Sequence, residues 1–196
     1  MGAETSEQTQ QELILGFLAD GRDEYTSGEA LSAKLGLSRT AVWKHVQSLR
    51  TKGYRIDALP ARGYRLVDVP DRLSPLELSP LLSTHHLGQV IHFHPSLPST
   101  NATAFRLASD GAEHGEVVVT EQQTAGRGRR GRTWVSPAGL NLYCSAILRP
   151  ELPPQRAAEL TLVAAVALAE SLHEAGADAR IKWPNDVQLG GRKVAG

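Results

Sequence analysis

The 196-residue sequence predicts an α+β chain: three N-terminal helices closed by two short strands, then a larger domain mixing helices with a sheet. Three observations predict it. The apolar period changes from helical to alternating at Gly53. From residue 81 onward, short strand-like runs are interleaved with helical ones. The charge is also uneven: Lys34 to Leu66 holds eight basic residues against one acid, Asp57, although the whole chain is formally neutral.

In the first segment, residues 1 to about 10 are polar and expected to fray. Leu13, Ile14, Phe17 and Leu18 follow at helical spacing until Asp20-Gly21. Ser27 opens a short helix that Gly36 ends, and Ser38 caps the next, which runs through Val42, Val46 and Leu49. A helix, a glycine-containing turn and a second capped helix make a helix-turn-helix. Tyr54-Arg55-Ile56 and Gly63-Tyr64-Arg65-Leu66, joined through Leu59-Pro60-Ala61, add a two-stranded wing. Ser38, Arg39, Thr40, Lys44 and His45 lie where such helices reach base edges, and Arg62 at the wing tip suits a phosphate or the minor groove. Trp43 is assigned to the core or a domain contact, because Val42 and Val46 beside it face inward. The basic excess favours DNA over a protein-interaction module.

Three prolines between Asp68 and Pro80 mark a linker with a short helix, so the expected division is 1–67, 68–80 and 81–196. In the third part, Ile91-His92-Phe93-His94 reads as a strand with both histidines on one face, and no third metal ligand is suggested. Ser99 caps a helix to about Asp110, with Ala104, Phe105 and Leu107 inward. Val117–Glu121 and Leu142–Leu148 read as strands, and Pro154–Ala175 as a helix covering the sheet. Arg180–Trp183, Asp186–Leu189 and Arg192–Ala195 are further strands of the same sheet, the last two joined at Gly190-Gly191. The single cysteine, Cys144, excludes a disulfide framework and is assigned to the core. No run of about 18 apolar residues occurs, and the N-terminus lacks the apolar core of a signal peptide, so a cytoplasmic address is expected.

The chemistry concentrates at Gly126-Arg127-Gly128-Arg129-Arg130-Gly131-Arg132, four arginines and three glycines in seven residues. Glycine lets backbone approach a ligand, and arginine presents a planar fork of donors to carboxylate or phosphate. Such a loop can close over an anion, or remain a basic tract touching nucleic acid. Arg127, Arg129, Arg132, Lys182 and Lys193 form a cationic inventory without a Ser-His-Asp set, zinc spacing or Walker lysine loop. That suits joining two anions, where positioning and charge stabilisation dominate.

Ser99-Thr100-Asn101, the Gly/Arg loop, Ser136-Pro137-Ala138-Gly139-Leu140-Asn141-Leu142-Tyr143 and Lys182-Trp183-Pro184-Asn185-Asp186 occur in that order. The series resembles the catalytic domain of biotin protein ligases, and the N-terminal third resembles the winged helix-turn-helix of the bifunctional members, which also repress biotin synthesis genes. The resemblance implies a biotin/lipoate-ligase-like mixed sheet and the substrates biotin and ATP with Mg²⁺. It also implies two partners, biotin carboxyl carrier protein (an acetyl-CoA carboxylase subunit) and operator DNA, and is compatible with a homodimer. Ser99, Thr100, Asn101 and Gln123 would line the biotin pocket, and Arg127, Gly128 and Arg129 would fold over biotinyl-5′-adenylate. Arg129, Arg132, Trp134, Lys182, Asn185 and Asp186 would serve ATP, with Asp186 the Mg²⁺ anchor; Trp134 is equally compatible with ordinary packing. Lys193 would sit between the biotin carboxylate and the α-phosphate, making Lys193 and Arg129 the catalytic pair.

Arg130 is the weakest of the loop arginines, and Thr124 replaces a second glutamine usual in the family. The Gly/Arg loop argues against a lipoate-type ligase. In the family the run at Lys193-Val194-Ala195-Gly196 continues into further strands and a small β-barrel, so the catalytic domain is expected to be incomplete at its C-terminus. The alternative function is a DNA-binding regulator with an inactive ligase domain.

Overall fold

A computed structural model of the chain describes residues 2–21, 24–128 and 132–195. It divides into two compact units, Met1–Leu148 and Arg149–Gly196.

The first unit opens with α1 (Gly2–Asp20), α2 (Gly28–Leu35) and α3 (Arg39–Thr51), followed by the antiparallel wing strands β1 (Arg55–Leu59) and β2 (Gly63–Asp68). The caps are the expected ones. Ser27 Oγ accepts from Ala30 N–H at 3.0 Å and Ser38 Oγ from Ala41 N–H at 3.1 Å. Gly36 ends α2 at φ 65°, a left-handed conformation that favours glycine. Ile14, Leu18, Leu31, Val42, Val46 and Leu49 form a fully buried core, closed by Ile56 and Leu66 from the wing. Two corrections apply. α1 begins at Gly2 instead of fraying to residue 10, because that polar stretch contains no residue that stops a helix. Trp43 is 53% exposed, since one residue on from buried Val42 the helix has turned about 100° away from the core.

The linker is docked. Its helix α4 (Pro75–Leu78) inserts Leu76 into the winged-helix core. The Tyr54 hydroxyl donates to the Glu77 carboxylate, which also accepts from Ser74, and Leu73 N–H donates to Glu121 Oε1 at 2.9 Å. Burial, and then the Glu77 carboxylate, hold the Tyr54 phenol well above its ordinary pKa.

Next come β3 (Ile91–His94), α5 (Thr100–Ser109), β4 (Val117–Thr120) and β5 (Tyr143–Ala146). β4 is central, parallel to β3 and antiparallel to β5, so the sheet is mixed. Leu97, Ala104, Val118 and Ile147 form its core. Phe105, expected inward, is 75% exposed, because α5 turns Thr100 and Ala104 to the protein and the next position outward. Cys144, expected in the core, is exposed. Its strand buries Tyr143 at one end and leaves the cysteine on the opposite side of the pleat.

In the second unit, α6 (Glu159–Glu174) packs on the antiparallel meander β6 (Ala179–Lys182), β7 (Asp186–Leu189) and β8 (Arg192–Ala195). The prolines form a 3₁₀ turn at Pro154–Arg156, so the helix starts later than expected. Ala165 and Ala169, one turn apart, meet Ala179 and Val187. Gly190 and Gly191, at φ 54° and 78°, make the tight hairpin. β6–β8 are joined by short turns and pair among themselves, whereas β3 and β4 pair across the α5 crossover. Among the described residues no helix is long and apolar enough to cross a membrane.

Candidate functional site

At the N-terminus of α5, four side chains from four segments form one hydrogen-bonded chain. Ser145 Oγ on β5 donates to Thr100 Oγ1 at 2.9 Å. Thr100 Oγ1 and its backbone N–H both donate to Gln123 Oε1, at 3.2 and 2.9 Å. Gln123 Nε2 donates to Ser136 Oγ at 3.2 Å, and Ser136 Oγ to the Trp134 carbonyl at 3.3 Å. Gln123 thus caps α5 at Thr100 while Ser99 Oγ caps it at Ala102, 3.5 Å away. Thr100 is buried, Ser99 half-buried and Asn101 exposed. Gln123 is placed by its backbone, which bridges Leu97 on one side and Ser136 on the other. Its amide keeps one further N–H for a ligand after serving Ser136. Ser136 opens one of the runs that carry the resemblance but was given no site role, and Ser145 does not stand out, because a serine in an extended segment has no spacing signature.

The Gly/Arg segment leaves this cluster as a narrow hairpin. Trp134 N–H donates to the Gly126 carbonyl at 2.9 Å, and Gly128 N–H to the Arg132 carbonyl at 2.7 Å. Arg127 pairs across it with Thr133. A Cβ on Gly126 would lie 2.6 Å from the Trp134 carbonyl oxygen and 2.9 Å from Ser136 Oγ, so the turn admits only glycine there. A Cβ on Gly128 would meet nothing nearer than 3.4 Å. Arg127 and Arg132 are exposed and Trp134 is 40% exposed, an edge open to solvent. Arg129, Arg130 and Gly131 lie outside the described residues.

In the second unit, Lys182 ends β6 and Asp186 begins β7, opposite each other in register. Asn185 in the turn between them is buried, while Lys182 is exposed. Lys193, on β8, donates to Asp186 Oδ1 at 2.7 Å, and both side chains are about one-third exposed. A flexible ammonium thus stands against the one carboxylate of the Lys-Trp-Pro-Asn-Asp run.

On α3, Ser38, Arg39, Thr40 and Lys44 are exposed and His45 is half-buried. Arg39 pairs with Glu29 at 3.1 Å, and the Ser38 hydroxyl is engaged as the cap. At the wing, Arg62 and Arg65 lie over the Tyr25 ring, their guanidinium carbons 5.0 and 4.9 Å from its centre. His92 and His94 share β3, and His92 Nε2 lies 2.6 Å from Glu116 Oε2; the described residues include no cluster of three or more metal-ligating side chains.

Residues 93–196, more than half of the chain, match the Biotin/lipoate A/B protein ligase family, and residues 10–65 match an HTH domain. The chain is 44% identical over 184 residues to the bifunctional ligase/repressor BirA of Bacillus subtilis, and 41% to that of Escherichia coli. Those alignments cover 93% of this chain and 57% and 55% of the two relatives, so it spans little more than half their length. A solved structure of the biotin protein ligase from Aquifex aeolicus in complex with biotin and ATP is 34% identical, with a TM-score of 0.47 over 54% of this chain and 44% of that one. The chain belongs to the biotin/lipoate A/B protein ligase family, with a helix-turn-helix domain at its N-terminal end.

Proposed function

We propose that this chain is an ATP-dependent biotin protein ligase and a biotin-responsive DNA-binding repressor. Residues 1–67 bind operator DNA, 68–80 join the two parts, and 81–196 carry the ligase residues. Two relatives named as bifunctional ligase/repressors align with nearly the whole chain. The observation that carries the ligase reading is the Ser145–Thr100–Gln123–Ser136 chain at the root of the Gly/Arg hairpin. It holds donors and acceptors for a ureido ring where the backbone is also shaped to approach an adenylate.

In the first step a biotin carboxylate oxygen attacks the α-phosphorus of ATP, and pyrophosphate leaves. In the second, a lysine amine of biotin carboxyl carrier protein attacks the acyl carbon, losing a proton, and AMP leaves. Thr100 and Gln123 hold the ring, with Ser99 and Asn101 at its edge, and Arg127 and Gly128 close over the adenylate together with Arg129. Arg132, Trp134, Lys182 and Asn185 serve the nucleotide. Lys193 offsets the charge of the two meeting anions, a role suited to a mobile ammonium. Mg²⁺ commonly takes one or two carboxylates plus phosphate oxygens, and the single, partly exposed Asp186 carboxylate fits that requirement. When bound there, the ion would neutralise charge on the departing pyrophosphate.

The protein works in the cytoplasm, and its repressor role is compatible with a homodimer. Incubation with ATP, biotin and the carrier domain should add one biotinyl group to the carrier lysine by mass spectrometry. An unmodified carrier would overturn the ligase reading. For the repressor, Arg39→Ala with Lys44→Ala should flatten the salt dependence of duplex binding by about two in log–log slope. An unaltered slope would remove α3 from the DNA interface.

A further inference from the structure

We infer that Trp43 reads the 5-methyl group of a thymine in the major groove of bound DNA. The inference rests on the DNA-binding reading above and adds a base-selecting contact to it. A single exposed apolar residue is ordinary on a protein surface, so the exposure of Trp43 is only the beginning. Its neighbours decide the matter.

At about 100° per residue, Arg39, Trp43, Gln47, Thr40 and Lys44 occupy one arc of α3 spanning roughly 140°, and buried Val42, Val46 and Leu49 occupy a separate arc of roughly 60° that ends beside Arg39. The indole therefore lies among hydroxyl, amide and cationic side chains, outside the arc that packs in the core. Five of the eight basic residues in this region have polar protein partners, Arg39 among them through Glu29 at 3.1 Å. Arg50 donates to the Ile56 carbonyl, Lys52 to buried Gln11, Arg55 faces Asp68 at 3.8 Å, and Arg65 pairs with Asp57 at 3.0 Å. Lys44 beside Trp43 is exposed and forms no ion pair among the described residues, and Arg62 lies at the exposed wing tip. These charges complement a polyanion. An apolar protein partner would have to desolvate Lys44 and Arg39 in order to reach the indole.

Within the major groove only thymine offers an apolar group, its 5-methyl, while the other base edges offer hydrogen-bonding atoms. Charge at Lys44 and Arg62 holds the duplex, Thr40 and Gln47 can bond base edges, and the indole favours a thymine beside them.

The test begins with the full 196-residue chain and a duplex selected by it from a randomised pool. Each thymine is then replaced in turn by deoxyuridine, which removes the methyl alone. The expected result is a loss of about fourfold in affinity at one thymine per bound recognition helix, the effect of burying about one methyl. Trp43→Ala should bind more weakly and show no sensitivity at that position, while Trp43→Phe keeps part of it. Because Trp43 is outside the core, both variants should keep the parent's circular dichroism and melting. If Trp43→Ala keeps the parent's deoxyuridine profile while Lys44→Ala weakens binding, the thymine contact is wrong and the DNA-binding reading survives. If the chain selects no duplex and shows no salt-dependent binding, both fall.

Discussion

Lys193 on β8 donates to Asp186 Oδ1 at the start of β7, 2.7 Å away, so a lysine and an aspartate with separate proposed roles are partners in this structure. Both are about one-third exposed, and an exposed pair of this kind adds little stability, about 0.5 kcal/mol. Lys193→Met should therefore leave the denaturant midpoint nearly unchanged. Its pyrophosphate exchange should fall about a hundredfold or more, as when a preorganised charge-stabilising donor is removed. A large stability loss, or unchanged exchange, would show that the pair is structural.

Gln123 joins the α5 N-terminus to the Gly/Arg hairpin. Gln123→Ala leaves the Thr100 N–H without its Gln123 acceptor and takes one of two hydrogen bonds from Ser136 Oγ, which should cost about 1–3 kcal/mol in urea unfolding. Ser145→Ala removes one donor to Thr100 and should cost about 1 kcal/mol. Both should raise the KM for biotin, Gln123→Ala the more. A normal biotin KM in Gln123→Ala would separate this network from ligand binding.

The two loop glycines should respond differently. Gly126→Ala forces a Cβ into the Trp134 carbonyl and should cost about 1–3 kcal/mol, displacing the hairpin. Gly128→Ala meets contacts only at 3.4 Å and should fold close to wild type. Melting temperatures of the two variants measure the contrast; equal values would contradict the hairpin geometry.

Tyr54 ties the winged helix to the linker through Glu77. Its phenol pKa is raised, chiefly by burial, so the folded state holds this proton more tightly than the unfolded chain does. The resulting stability is fully present below about pH 10, the unfolded value, and is lost as pH rises beyond it. Tyr54→Phe should cost about 1 kcal/mol at pH 8 and should lose stability less steeply above pH 10. Parallel slopes for variant and parent would refute this.

Caps, turns and hairpins were legible because each depends on a few adjacent residues. Ser27, Ser38 and Ser99 cap helices as read, and the Gly190-Gly191 turn lies where its residues indicate. Which way a residue beside the core turns was less legible. Phe105 and Cys144 were assigned inward and Trp43 to the core or a domain contact, and none of the three is in the core, because apolar character alone does not set the phase of a helix or a pleat. The parallel pairing of β3 with β4 depends on segments set apart by α5, which local patterns do not encode. Around Thr100, the hydroxyl and amide residues could be named from the family resemblance. The roles of Ser136 and Ser145 in the hydrogen-bonded chain were not legible, because folding brings them to Thr100 from 36 and 45 residues away.

The most direct test of the central claim is biotin-dependent ATP–pyrophosphate exchange by this 196-residue chain. The account predicts exchange that requires biotin and is lost in Lys193→Met. No exchange from a sample with cooperative unfolding would contradict it, leaving a DNA-binding regulator joined to an inactive ligase domain.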